Sequence, residues 1–385
     1  MSLVPADADF GQDQAGDLIH VAREFAREEL LPLDRKWDED ESSVASVLPK
    51  LSEMGFLTLL VPESLGGLGC NYRTFASIIH ELSVWSPSTA VTVAVHGWVG
   101  GIIDRFVAEP QRSQCLSKWG EPNEFGAFAL SEAGAGSDAR SAKTTAVEVS
   151  GGFKVTGEKM WVTNGLSAGW MLILTRLRGL AKDEDFCAML VDARSSGVER
   201  HAIHGKMGIR GSETAVVNFH DVFVPEASLI GPRGGGLGVF LSSLSRGRIG
   251  IAAQATGIAE ACLGEMISYA RQREQFGQPI GKFQAVGDMI ASSAVELEAA
   301  KLLTWRAAVN VDRGLTDRSG SSMAKLYASE AANRIAYRAV QVHGGAGFVH
   351  ECRVEQLYRD ARITTIYEGT SEIQRIVIAR ELTKA

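Results

Sequence analysis

"GPRGGGLGVFLSSLSRGRIGIAAQATGIAEACLGEMISYARQREQ", from Gly231 to Gln275, decides how the chain is organised. It opens with a breaker cluster of glycines and a proline, "GPRGGGLG" (231–238). From Val239 to about Gln275 nothing strongly interrupts a helical pattern, which predicts one unusually long helix. Two more long helical segments are expected at about 281–313 and 320–342. Upstream, from about Phe125 to Val224, the texture is different. "FGAFALSE", "TTAVEVS", "FKVTGEKMWVT", "WMLILTR", "FCAMLVD" and "TAVVNFHDVFV" are short runs separated by glycines and polar residues, which are strand signals. Ser150-Gly151-Gly152 reads as a hairpin turn. Earlier still the chain reads as helical. Leu18, Val21 and Phe25, with Ala22 and Ala26, keep helical spacing, with Asp17 as the cap and Pro32 as the limit of that helix. "TFASIIHELSVW" (74–85) gives a second amphipathic stretch. Helices and strands are segregated, so the class is α+β rather than α/β. The expected division is a helical domain at 1–122, a β domain at 123–230 and a helical domain at 231–385.

The composition, 45% hydrophobic and 22% charged, is that of an ordinary globular protein. A net charge of −7 argues against a nucleic-acid binder, which would carry a basic face. No apolar run approaches the roughly 20 residues that span a bilayer. The acidic start, "MSLVPADADFGQDQ", lacks a signal pattern, and a cytoplasmic location is expected. The five cysteines are scattered and form no CxxC pair, and the eight histidines form no HExxH, so no metal site is expected.

"SEAGAGSDAR" (131–140) contains G-x-G-x-x-A. A dinucleotide fingerprint needs a helix directly afterwards. Here "SAKTTAVEVSGGFKV" reads as further strand. The loop suits a flat polar ligand edge or a phosphate, with a plain turn as the bland alternative. In "KMWVTNG" (159–165), Trp161 and Thr163 are two apart and would share one side of a strand. "YARQREQFGQPIGKFQ" (269–284), "QVHGGAGF" (341–348), "SRGRIGIAAQATGIA" (245–259) and "ITTIYEGTSEIQR" (363–375) complete the set.

Together these stretches resemble the acyl-CoA dehydrogenase family, flavoenzymes that desaturate acyl thioesters, over nearly the whole chain. The resemblance implies an N-terminal helical domain, a middle β-barrel or sandwich domain and a C-terminal four-helix bundle, assembled as a homotetramer. It implies FAD between the β domain and the C-terminal helices, reaching a neighbouring subunit. Phe128, Leu130, Ser131, Gly136 and Ser137 would line the flavin, and Trp161, Val162 and Thr163 would flank it. Arg273, Phe276 and Gln284 would grip the adenylate or pyrophosphate across a subunit interface, as would Gln341, Val342, His343, Gly344 and Gly345. His343 also reads as a structural cap. Thr370 and Glu372 would complete the site. Ser137, Ser245, Arg248, Gly369 and Arg380 fall where the family contacts the CoA thioester or its nucleotide arm.

Glu368 stands between an aromatic ring and a glycine, with no cation adjacent in sequence. Dehydrating a carboxylate raises its pKa and strengthens it as a base for a thioester α-hydrogen. The resemblance makes Glu368 that base and flavin N5 the acceptor of the β-hydride. Ser371 with Gln374 matches a capping box that would start the next helix. Ala133 stands where the family often has proline, and Ser245 where short- and medium-chain members carry aspartate. The implied partners are an acyl-CoA substrate and an electron-transfer flavoprotein as acceptor. The alternatives are an acyl group on a carrier protein, a DNA-binding relative and an oxidase.

Overall fold

The computed structural model describes residues 14–182, 184–315 and 317–384. The acidic segment before Gln14, read above as lacking a signal pattern, lies outside them. Helices come first: α1 (Gln14–Phe25), α2 (Leu31–Asp40), α3 (Leu48–Glu53), α4 (Tyr72–Trp85), α5 (Pro87–Phe106) and α6 (Gln111–Leu116). Eight strands follow: β1 (Gly126–Ala129), β2 (Thr145–Val149), β3 (Gly152–Thr163), β4 (Trp170–Leu177), β5 (Phe186–Asp192), β6 (Val198–Ala202), β7 (Thr214–Pro225) and β8 (Leu229–Ile230). The chain ends in α7 (Gly236–Gln272), α8 (Gln284–Asp312), α9 (Arg318–His343), α10 (Arg353–Ile363) and α11 (Ser371–Leu382).

The first helix differs from its sequence pattern. Asp17 lies inside its first turn rather than capping it. Its buried stripe is Ile19, Ala22, Phe25 and Ala26, whereas Val21 is exposed. Pro32 ends nothing. A π-helical turn (Ala26–Leu30) carries the chain into α2, and Pro32 sits in the first turn of α2, where its missing N–H costs no helical bond. α4 carries the amphipathic pattern of its sequence, yet Thr74–Ser83 are all buried, because α1, α5, α7 and α8 all pack around it.

The strands form one mixed sheet in the order β6-β7-β3-β2-β4-β5-β8, with β1 parallel to β4. The β2–β3 hairpin turns at Ser150-Gly151, with Gly151 at φ +79°. β5 and β7 are far apart in the strand order yet touch, so the sheet folds over a core of its own that includes Phe153, Met171, Met189, Val217 and Phe219. β4 and β5 are apolar at nearly every position because their other face is covered too. Leu172, Leu174, Phe186 and Leu190 pack with Trp98 and Ile102 of α5 and with Leu237 and Phe240 of α7.

The 37 residues of α7 are the axis of the C-terminal half, as its sequence predicts. α8 and α9 pack along it, and α10 and α11 both pack on α9, so the fourth position of the bundle is two short helices. Small residues at the contacts, among them Ala252, Ala255, Ala328, Ala332 and Ala336, are fully buried and let the helices approach closely.

Candidate functional site

Glu368 lies in the turn between α10 and α11. Thr365 O accepts from Ser371 N at 3.0 Å, which closes the turn. Inside it Glu368 (φ +54°) and Gly369 (φ +90°) are both left-handed. Glutamate rarely adopts that conformation, so its surroundings must hold it there. The Gln374 amide donates to the carbonyls of Glu368 (3.0 Å) and Gly369 (2.8 Å), and Lys325 Nζ of α9 donates to the Gly369 carbonyl at 2.7 Å. The expected capping box is corrected. Thr370 is the N-cap of α11, its hydroxyl accepting from Ile373 N at 3.3 Å. Ser371 Oγ is buried without a partner, and Gln374 reaches the carbonyls behind it.

The carboxylate points into the fold. Glu368 Oε2 is buried with no hydrogen-bond partner. A Cβ at Gly247 of α7 would sit 2.9 Å from it and 3.1 Å from the Trp98 ring. Burial pushes Glu368 up to about 7, against the opposing pull of Arg248 and Lys325. Arg248 is itself buried and pushed down to about 10; it donates to Ser322 Oγ at 3.0 Å, and its Nε has no partner. Ser245 Oγ, one turn earlier, is likewise buried and unpartnered. The Tyr367 hydroxyl donates to Gln254 Oε1.

Trp98 links this turn to the β domain. Its indole donates to Ser243 O at 2.9 Å, and its ring meets Phe128 of β1 with centroids 4.2 Å apart. Phe128 also packs on Phe240 (4.6 Å). Leu130 and Tyr367 pack against the same apolar cluster, which brings the end of β1 and the Glu368 turn together. The loop beyond Leu130 is tied down from beneath. Glu132 accepts from Lys143 N (2.6 Å), Thr144 N (3.0 Å) and the fully buried Lys159 (2.8 Å), while Met160 N donates to Ser131 O (2.9 Å). A short 3-10 turn and then β2 follow this loop, not the helix a dinucleotide fingerprint requires.

Trp161 projects from a bulge in β3 opposite β7; it has φ +61° and is 58% exposed. The Val162 side chain is 1% exposed within the β-domain core, so it is the backbone of Val162 that faces outward beside Trp161. Gly136 and Ser137 are exposed, and a Cβ at Gly136 would meet nothing within 4 Å.

The remaining candidates lie elsewhere. Arg273 is 25 residues beyond Arg248, about 37 Å along helical rise. Around it Phe276 is 92% exposed with φ +53°, Gln284 lines a shallow surface groove with Ala285, Gly287, Asp288 and Ala291, and Gln341, Gly344 and Gly345 are exposed. The side chains of Val342 and His343 turn inward. Val342 is buried in the helical core; His343 stacks on Tyr269 (4.3 Å), with its Nδ1 2.8 Å from Ala339 O. Glu372 is exposed in the first turn of α11, and Arg380 is exposed near its far end, away from the Glu368 turn.

Sequence reasoning missed Gly247, Trp98 and Lys325, and gave Gln374 a capping role in place of its grip on the turn. Only Gly247 left a signal, as a glycine inside a helix with no turn to make. Exposed aromatics at strained backbone positions, an open glycine loop and orphaned buried polar atoms fit a large flat cofactor with a polar tail. Among the described residues no cluster of His, Cys, Asp and Glu could hold a metal, and no helix is long and apolar enough to cross a membrane.

Three profiles of one family match the chain: acyl-CoA dehydrogenase N-terminal domain (residues 12–121), middle domain (127–222) and C-terminal domain (234–383). A mitochondrial short-chain specific acyl-CoA dehydrogenase of Rattus norvegicus is 40% identical over 370 residues, 96% of this chain and 90% of the relative. Butyryl-CoA dehydrogenase from Megasphaera elsdenii superposes with a TM-score of 0.94 at 31% identity, over 98% of this chain and 100% of that one. A chain from a structure of the electron transferring flavoprotein of Acidaminococcus fermentans superposes at 0.95 with 34% identity, over 98% and 100%.

Proposed function

Given that the chain belongs to the acyl-CoA dehydrogenase family, we propose that it desaturates an acyl-CoA thioester between the α and β carbons with Glu368 as the base. The reaction class and the use of FAD follow from the family. The observation that carries the role of Glu368 is its buried, unpartnered Oε2, held in a left-handed turn with Arg248 and Lys325 facing it.

FAD, when bound, supplies the two-electron oxidant that takes the β-hydrogen as hydride. This chain's residues do the rest. Burial strengthens Glu368 as a base, and the two cations keep a fraction of it ionised near neutral pH. Gly369 leaves the main chain open to the thioester, and the backbone N–H of Glu368 is available to its carbonyl oxygen as charge develops there. The α-proton passes to Glu368, and the product is the trans-2-enoyl thioester. Leu130, Ser131, Gly136, Ser137, Trp161 and Thr163 would hold FAD from the β side, and Thr370 and Glu372 from α11. Arg273, Phe276, Gln284, Gln341, Gly344 and Gly345 would hold the FAD of a neighbouring subunit, a reading supported by the helical rise of about 37 Å that separates Arg273 from Arg248. Exposed Val295, Leu302 and Tyr337 on α8 and α9 support the same assembly, a homotetramer. Divisions near 122 and 230 separate the three domains.

The acceptor we propose is an electron-transfer flavoprotein, supported by the Acidaminococcus likeness, and the location is cytoplasmic. A short acyl chain is supported by the Rattus relative. A panel from butyryl-CoA to palmitoyl-CoA tests chain length.

Glu368→Gln tests the base. Flavin content and substrate binding should hold, while anaerobic flavin reduction slows by about 10²–10⁴-fold and exchange of the α-hydrogen with solvent is lost in parallel. Reduction at the wild-type rate would place the base elsewhere.

A further inference from the structure

Lys325 sits in α9 with none of its surface exposed, where an ammonium needs compensation. Among the described residues its hydrogen-bond acceptor is the Gly369 carbonyl, 2.7 Å away. That carbonyl belongs to the residue after the base, inside the left-handed pair. Gln374 grips the same carbonyl from α11, but α11 is continuous with the turn and moves with it. Lys325 is the anchor that comes from a different helix, at a position buried among α7 and α11 contacts.

We propose that Lys325 is a positioning residue for proton abstraction: it fixes the Glu368–Gly369 turn through the Gly369 carbonyl and presents a second cation to the carboxylate. This role presupposes Glu368 as the base. The groups facing Glu368 are Arg248 of α7 and Lys325 of α9, with Tyr367 beside it in the chain; Lys325 itself faces Glu368, Arg248, Glu372 and Glu330. Burial drives Lys325 down to about 7 while Glu368 resists that fall, so the two groups support each other's charge. Without Lys325, Arg248 is the one cation left facing the base among the described residues, and ionising Glu368 requires a higher pH.

The test uses the FAD-loaded enzyme with Lys325→Met, an uncharged side chain of similar length, and follows anaerobic flavin reduction across a pH series. The expected result is a loss of about 10–10²-fold at neutral pH that shrinks as pH rises, because the acid limb of the profile moves upward. Flavin content, visible spectrum and acyl-CoA affinity should stay at wild-type values. Lys325→Arg, which keeps a cation and a donor, should return the limb towards its wild-type position. Lys325→Gln, which keeps a donor without the charge, should hold the turn and still shift the limb. An unmoved limb in both Lys325→Met and Lys325→Gln, or an equal loss at every pH, overturns the proposal. If Lys325→Met cannot be folded, the Lys325→Gln limb alone decides. Glu368→Gln runs in parallel: if it reduces flavin normally, the assignment of the base has failed, whereas an inactive Glu368→Gln beside a wild-type Lys325→Met removes the positioning role alone.

Discussion

Gly247→Ala should separate stability from catalysis. The added Cβ would lie 2.9 Å from Glu368 Oε2 and 3.1 Å from the Trp98 ring, where ordinary contact begins at 3.4 Å. The Trp98 ring is tethered by its bond to Ser243 O and packed on Phe128, so it yields little. Oε2 is the tip of a flexible side chain and gives way first, by about 0.5 Å. Replacing glycine by alanine inside a helix favours the fold by about 1 kcal/mol, enough to offset the strain at the ring. Displacing a catalytic group by about 1 Å can cost about 10²-fold, so half of that shift predicts a loss on the order of tenfold. Thermal melts of the FAD-loaded enzyme should therefore stay within a few degrees of wild type. Stopped-flow flavin reduction and α-hydrogen exchange should both slow by about tenfold. If both run at the wild-type rate, the carboxylate does not occupy the space beside Gly247 during proton abstraction. If rate, flavin content and melting temperature fall together, the loss is structural.

With burial pushing Glu368 up to about 7, its proposed role as the base predicts that flavin reduction rises with pH through about 7 and then levels off. The same shift bears on stability. A carboxyl raised from 4.5 to about 7 by folding keeps a proton that the unfolded chain has released, so its contribution is full below 4.5 and is lost as pH rises to about 7. Glu368→Gln should thus gain in melting temperature over wild type as the buffer goes from acid to alkaline; a constant difference would contradict the burial assignment. Burial raises Asp34 to about 6 and raises Asp360 well above its ordinary value, and the nearby Asp34 adds to the rise at Asp360. Asp360→Asn keeps an acceptor for Ile209 N, 2.5 Å from Oδ1, and should flatten the fall in melting temperature from mildly acidic to neutral pH; an unchanged slope would show that Asp360 ionises freely. Phe276→Ala removes an exposed ring and should leave the far-ultraviolet spectrum intact while weakening FAD binding by roughly tenfold in equilibrium dialysis, as for a lost aromatic anchor. Unaltered FAD affinity would remove Phe276 from the site.

Local pattern was enough for what depends on neighbours in sequence. The period of 3.6 in α7 to α9, the short apolar runs of β1 to β5 and β7 and the Gly151 hairpin are all set by residues a few positions apart. The same holds for Glu368: its lack of a nearby cation in sequence and its glycine neighbour already mark an unusual carboxylate. Where expectation and structure part, packing is the reason. Pro32 was compatible with a helix start as well as a helix end, and only the π-helical turn before it decides between them. Val162 and His343 belong to motifs that suggest a ligand, but a strand has two faces and a helix end has a buried side, and nothing local says which one a side chain takes.

By itself the sequence determined the order of helices and strands and the α+β class, and it singled out Glu368 as the candidate carboxylate. The tertiary structure decided what that carboxylate meets. Lys325, Arg248, Gly247 and Trp98 lie 43 to 270 positions from Glu368 in the sequence, and they converge on it because α5, α7 and α9 are packed side by side around one turn. The protonation of Glu368 is set by burial and by the charges that packing brings near it, and neither quantity exists until the chain has folded.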